Sequence, residues 1–255
     1  MQRFGSDALV LFEHDDRFNL LAQLFVIDAD HRGLRDGGMR LETLLDLERI
    51  HVLAATQDEV ADVCAEAIRH GMWSVCIAPR QVAFAAVRLA DTQVRVCTVI
   101  GFPLGTSTSA TKAYEATQAI ADGADELDMV LDLGALRAGL DDVVEADIAA
   151  VVQAARGRCV KVILESAALR GDEIERACQR AARGGASFVK TSTGFGPGGA
   201  TIDAVRRMRA IVGPDVGVKA SGGIRDAQSA LAMLEAGATR LGTSRSIEIL
   251  DGLAR

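Results

Sequence analysis

From residue 70 onward the chain repeats one pattern: a short apolar run, a glycine-marked turn, then a stretch with apolar residues at three- and four-residue spacing. The apolar runs are Ser74 to Ala78, Val94 to Ile100, Glu126 to Leu131, Cys159 to Leu164, Ser187 to Lys190, Val216 to Ala220 and Arg240 to Gly242. Between them, Thr111 to Asp122 and Asp141 to Ala155 are predicted helices. Helices are expected to end near Gly71, Gly123, Gly157, Gly185, Gly213 and Gly237. Four units share a related phrase (HGMWSVCI, DGADELDMV, GGASFVKT, AGATRLGT), which marks a repeated βα unit. Seven such units are strong. The eighth strand is expected at Arg49 to Leu53 (RIHVL), which alternates apolar with polar, whereas the flanking LETLLDLE reads as helix. The predicted architecture is therefore α/β, a (β/α)8 TIM barrel. A doubly wound open sheet is the alternative; it needs a reversal of strand order, and the regular spacing favours closure.

Residues 1–43 fall outside this rhythm, with an apolar block from Leu20 to Ile27 and a charged, glycine-bearing segment from His31 to Arg40. They are expected to form an N-terminal extension, helical or partly disordered, ahead of a barrel spanning 44–255. Composition agrees with this division. A length of 255 residues suits one barrel of about 250. Aromatic residues make up only 4%, and the aliphatic bias suits parallel strands covered on both faces. A net charge of −7 argues against nucleic acid as the main partner, while an anionic small molecule remains compatible through local amide nests and an arginine. The five cysteines, Cys64, Cys76, Cys97, Cys159 and Cys178, form no CxxC pair and read as small buried hydrophobes in a reducing compartment. No window reaches the roughly 18 to 20 apolar residues that span a bilayer, so no membrane partner is expected and the location is expected to be cytoplasmic.

Three lysines stand where strand interiors rarely hold them: Lys161 in CVKVILES, Lys190 in SFVKTSTGF and Lys219 in VGVKASGG. They follow one another at 29-residue intervals, one βα unit each, which places them on consecutive strands at similar heights. An amine attacks a carbonyl only when neutral, and an ordinary lysine is neutral in about one molecule in 2,500 at pH 7. A second cation in a dry barrel mouth lowers that barrier, so lysines on adjacent strands suit imine chemistry. The bland reading pairs each lysine with a carboxylate inside the barrel. Asp128, in GADELDMVLDLG, shares a strand face with Val130; it is a candidate proton shuttle or a buried ion-pair partner. Glu165, closing VILES, points to the same mouth and is a second-tier candidate beside Lys161.

Glycine-rich turns follow the last three strands: TSTGFGPGGAT, SGGIR and GTSRS. Backbone N–H groups in such turns commonly hold phosphate at this end of a barrel. A metal is not expected, because His14, His31, His51 and His70 are scattered and offer no clustered ligand set.

The stretches SVCIAPR, VCTVIGFPLG, GADELDMV, KVILES, FVKTSTGFGPGGAT, VGVKASGGIR and EAGATRLGTS occur in order over residues about 56 to 246. Together they resemble the deoxyribose-phosphate aldolase family. The resemblance implies cleavage of 2-deoxy-D-ribose 5-phosphate to D-glyceraldehyde 3-phosphate and acetaldehyde, and the reverse addition, with no cofactor and no metal. It implies Lys190 as the imine-forming residue, with Lys219 and Asp128 in proton transfer. Phosphate is implied on Gly194, Gly196, Gly222, Gly223, Arg225, Gly242 and Ser244. Barrels of this kind often pair, so a homodimer is expected. Two alternatives stay open: another class I lyase or transaldolase on a phosphorylated sugar, or a catalytically impaired binder of one. The first strand departs from the family pattern of Asp-His-Thr-Leu-Leu-Lys-Pro. In LLDLERIHVLAAT, Asp46 aligns, but Glu48 falls where threonine is expected. An additional carboxylate near the mouth raises a lysine's proton affinity and slows attack.

Overall fold

The computed structural model describes residues 44–48 and 55–253, together with the backbone of Val26–Ile27 and Leu34–Arg35. Eight parallel strands close into a barrel: β1 Leu45–Glu48, β2 Ser74–Ile77, β3 Arg95–Ile100, β4 Glu126–Val130, β5 Cys159–Ile163, β6 Phe188–Lys190, β7 Gly217–Ser221 and β8 Arg240–Thr243, with β8 pairing back onto β1. Helices cover the outside, among them α1 Gln57–His70, α2 Val82–Leu89, α3 Ser109–Ala121, α4 Leu133–Arg137 and α5 Asp141–Ala154. No helix among the described residues is long and apolar enough to cross a membrane.

Local chemistry explains the helix boundaries. At α1, the Thr56 hydroxyl accepts from Glu59 N at 3.3 Å and the Glu59 carboxylate accepts from Thr56 N at 2.7 Å, a reciprocal cap that satisfies two otherwise orphaned donors. Gly71 closes the same helix in the left-handed conformation (φ 63°, ψ 35°), which a side chain would disfavour.

Seven strands lie where the repeat predicts them, within a residue or two. The first does not. It is Leu45–Glu48, and the expected RIHVL segment, residues 49–53, lies outside the described residues. LDLE carries good helix formers, yet its alternation suits a barrel: Leu45 and Leu47 join the apolar layer under the helices, while Asp46 and Glu48 meet buried cations inside. Tertiary pairing outweighs intrinsic helix preference here. In the extension, Val26–Ile27 pairs antiparallel with Leu34–Arg35, strand where helix was expected, in keeping with the β-branched Val-Ile pair. The rest of 1–43 lies outside the described residues.

The apolar core is a ring between barrel and helices. Val75, Ile77, Leu127, Met129, Val160, Val162, Val189, Val218, Ala220 and Leu241 all belong to it. The opposite strand faces fill the barrel with charge instead. Among the described residues the lumen also holds a small separate apolar cluster of Cys76, Cys97 and Val99. At the N-terminal end, Trp73 donates from Nε1 to Glu126 at 2.7 Å, and the guanidinium groups of Arg95 and Arg240 stack on its ring at 3.7 and 4.4 Å. That end is plugged, so the lumen opens toward the strand C-termini.

The largest fully buried side chains are headed by four lysines, Lys112, Lys161, Lys190 and Lys219. Lys112 lies on α3, on the face shared with Ala116 and Ala119, outside the barrel. Its ammonium reaches Asp147 of α5 at 2.6 Å and the Val130 carbonyl at 3.1 Å. Removing one member of such a pair strands the other. Lys112→Ala is expected to destabilise the protein by about 3–5 kcal/mol in denaturant unfolding, and a loss under 1 kcal/mol would contradict this account of the pair.

Candidate active site

The inward residues of β1, β4, β5, β6, β7 and β8 build one buried ionic network. Lys190 Nζ lies 2.6 Å from Glu48 Oε1 and 2.8 Å from Asp128 Oδ2. Lys219 Nζ lies 2.6 Å from Asp46, 3.0 Å from Glu48 and 2.9 Å from the same Asp128 oxygen. Lys161 Nζ contacts Asp128 Oδ1 and Glu126 Oε2, each at 2.7 Å, and Cys97 Sγ at 3.3 Å. Arg240 joins Asp46 at 3.1 Å and Glu126 at 3.3 Å. Four cations (Lys161, Lys190, Lys219, Arg240) thus face four carboxylates (Asp46, Glu48, Glu126, Asp128), and the network is formally neutral. Paired charge of this density inside a barrel otherwise packed with aliphatic residues is a functional signature.

Strand register refines the expected row of lysines. Lys190 sits directly opposite Lys219, as the spacing implies. Lys161 does not share their level: it pairs with Phe188, two residues before Lys190. The cause is register. Equal spacing in sequence fixes the number of units between lysines but not the stagger between strands. Lys161 consequently sits deeper, beside Glu126.

An ammonium has three donors. Lys161 and Lys219 each have three polar partners, whereas Lys190 has two among the described residues. Among the described residues one Lys190 N–H thus has no partner, and a proton lost from the amine leaves a lone pair there. Burial pulls the Lys190 proton affinity down, but the Asp128 and Glu48 carboxylates outweigh it and hold the amine above its ordinary range; Lys219 works in the opposite sense without prevailing. The expected depression by the neighbouring lysine is thus present and overruled by the two carboxylates. Asp128 is buried, which opposes ionisation, yet Lys161, Lys190 and Lys219 keep it ionised far below the usual carboxylate range. Glu48 behaves likewise, burial being outweighed by Lys190 and Lys219.

Above the network lies a cavity of about 410 Å³ lined by Glu48, Gly194, Gly222, Gly223, Ile224, Arg225, Gly242, Thr243, Ser244 and Arg245. Six of the seven expected phosphate positions are in this lining. Gly196 is not: a Cβ there would fall 2.5 Å from the Glu165 carboxylate, so its lack of a side chain makes room for that residue. Glu165 in turn does not reach the lysines. It accepts from Thr193 N at 3.3 Å and from the Thr193 hydroxyl, bracing the glycine-rich loop after β6. At Gly242 a Cβ would lie 2.1 Å from Ser221 Oγ and 2.6 Å from Glu48 Oε1, so glycine is what lets β8 pass the network.

Sequence reasoning did not single out Arg240, Glu126 or Lys112. The signal was available in two cases: Arg240 and Gly242, like Glu126 and Asp128, alternate onto one strand face. Cys76 and Cys97 lie side by side (Sγ–Sγ 3.4 Å), and Cys97 touches Asp128 at 3.2 Å. These three are a grouping of metal-capable atoms among the described residues, but both Asp128 oxygens are already held by lysines.

The chain matches the DeoC/LacD family aldolase profile over residues 26–249. It is 55% identical over 199 residues to a protein of Geobacillus sp. (strain WCH70) named deoxyribose-phosphate aldolase, a span of 78% of this chain and 89% of that one. A protein of the same name from Enterococcus faecalis is 54% identical over 199 residues, covering 78% of this chain and 90% of its own. Among solved structures, the deoxyribose phosphate aldolase of Aeropyrum pernix, described as a tetramer, superposes with a TM-score of 0.77 at 32% identity, covering 83% of this chain and 89% of that one.

Proposed function

The chain belongs to the DeoC/LacD family of aldolases, and from that premise we propose that it cleaves 2-deoxy-D-ribose 5-phosphate reversibly to D-glyceraldehyde 3-phosphate and acetaldehyde through a Schiff base on Lys190. The observation that carries the proposal is the position of Lys190, bonded to Asp128, opposite Lys219, and bonded to Glu48, which lines the glycine-rich cavity. In this reading residues 44–255 form the catalytic barrel behind the 1–43 extension.

The chemistry follows from the contacts. The Lys190 amine, having passed its proton to a neighbouring carboxylate, attacks the C1 carbonyl of the open-chain sugar. Asp128, shared with Lys219 through one oxygen, relays the protons that convert the carbinolamine to an iminium and expel water. The iminium draws electrons from the C2–C3 bond, leaving an enamine on Lys190. Protonation at C2 and hydrolysis then release acetaldehyde and restore the amine. The amine itself supplies the electron sink, so no metal electrophile is required. Phosphate is assigned to the amides around Gly194, Gly222, Gly223, Gly242 and Ser244, with Arg225 as the counter-charge.

A turnover assay on 2-deoxyribose 5-phosphate, paired with borohydride reduction in the presence of acetaldehyde, tests this. Turnover with an ethyl adduct mapped to Lys190 is the expected result. Trapping without turnover moves the substrate to another phosphorylated sugar, and absence of both overturns the covalent mechanism.

A further inference from the structure

We propose that Glu48 is the base that accepts the C3 hydroxyl proton as the C2–C3 bond breaks, a role that rests on the Lys190 imine described above. Glu48 is the one carboxylate among the residues lining the cavity, and the same carboxylate lies 2.6 Å from the Lys190 amine. A substrate bonded to Lys190 at C1, with its anionic end among the glycines and Arg225, has to pass this group two bonds beyond the imine carbon. The other network carboxylates, Asp46, Glu126 and Asp128, are not among the residues lining the cavity.

The carboxylate is also fixed in place. Lys219 at 3.0 Å and Ser221 Oγ at 3.4 Å hold Glu48 Oε1, and Gly242 supplies the space beside it. In cleavage the C3 O–H proton moves to Glu48, the C3–O bond becomes a carbonyl, and the C2–C3 electron pair passes through C1 to neutralise the iminium nitrogen. One of the two positive charges that keep Glu48 a weak base, the one on Lys190, therefore disappears as its proton arrives, while Lys219 stays in place. Its basicity rises along the reaction coordinate, which favours the transition state over the bound ground state. In the synthetic direction the same proton returns from Glu48 to the aldehyde oxygen of the acceptor.

Two readouts separate this role from the Schiff base itself. Exchange of acetaldehyde methyl protons in D2O needs the imine and enamine but no C3 oxygen; sugar-phosphate cleavage needs both. In Glu48→Gln, kcat for cleavage should fall about 100-fold while exchange falls by no more than about tenfold, because exchange needs no proton transfer from a C3 oxygen. Glu48→Asp, which keeps the charge, should recover part of the cleavage and serves as a second variant if the glutamine protein folds poorly. Cleavage that tracks exchange in both variants, falling or rising together, overturns the assignment. A parent protein that neither exchanges nor traps instead removes the imine reading on which it rests.

Discussion

Lys190→Ala is expected to lower cleavage of 2-deoxyribose 5-phosphate by at least about four orders of magnitude, since removing a covalent nucleophile deletes the route rather than weakening one step. The competing nucleophile is Lys219, directly opposite across the ladder. Its amine is engaged by Asp46, Glu48 and Asp128, so no donor is spare, and burial is outweighed by those carboxylates, which hold it well above the ordinary lysine range. Borohydride reduction with acetaldehyde should accordingly label the parent at Lys190 and leave Lys190→Ala unlabelled. An adduct on Lys219 in the variant, with turnover down only tenfold, would transfer the nucleophile to the neighbouring strand.

The repeated βα rhythm made the barrel legible because each unit declares itself locally, by an apolar run and a glycine after the helix. The same locality explains the failure at β1. LDLE has no glycine-marked unit before it, and its two acidic residues look solvent-facing until Lys190, Lys219 and Arg240, all far away in sequence, are brought opposite. The lysines were legible as a set for a simple reason: buried lysine is rare enough that three at equal spacing demand a cause. Their levels were not legible, since stagger is a property of strand pairs. Glu165 and Gly196 show a related limit. Each lies in a motif that reads as catalytic or phosphate-binding, yet their contact is with one another, bracing the loop. The resemblance carried the reaction class, and the departure at Glu48 was visible in the sequence, but only geometry shows that this carboxylate makes the network neutral.

Asp128→Asn should be the most disruptive single exchange in the network, because it keeps the shape and removes the charge that three ammonium groups share. With Asp128 neutral, Lys161, Lys190, Lys219 and Arg240 face only Asp46, Glu48 and Glu126, leaving one uncompensated buried cation. Uncoupling a buried ion cluster in this way costs about 3–5 kcal/mol. The pH dependence has a definite sign. The Asp128 carboxyl is held well below its unfolded value of about 3.9, so its stabilisation is complete above that pH and is lost only as pH falls through the lower folded value. Lys190 and Lys219 are held above their unfolded value of about 10.4, so their contribution is complete below it and fades as pH rises through the folded values. The parent should therefore be stable across the neutral range and lose this contribution at both extremes. The variant lacks part of it at pH 7, and its lysines lose protons at lower pH. Imine formation, which needs the neutral amine, should then begin at a lower pH than in the parent. Overall cleavage should still fall, by about 10⁴-fold, because the relay between carbinolamine and iminium has lost its acceptor. A folded variant with near-parental turnover and an unmoved acid limb in its pH profile would mean that Asp128 only fills the barrel, and that proton transfer runs through another group.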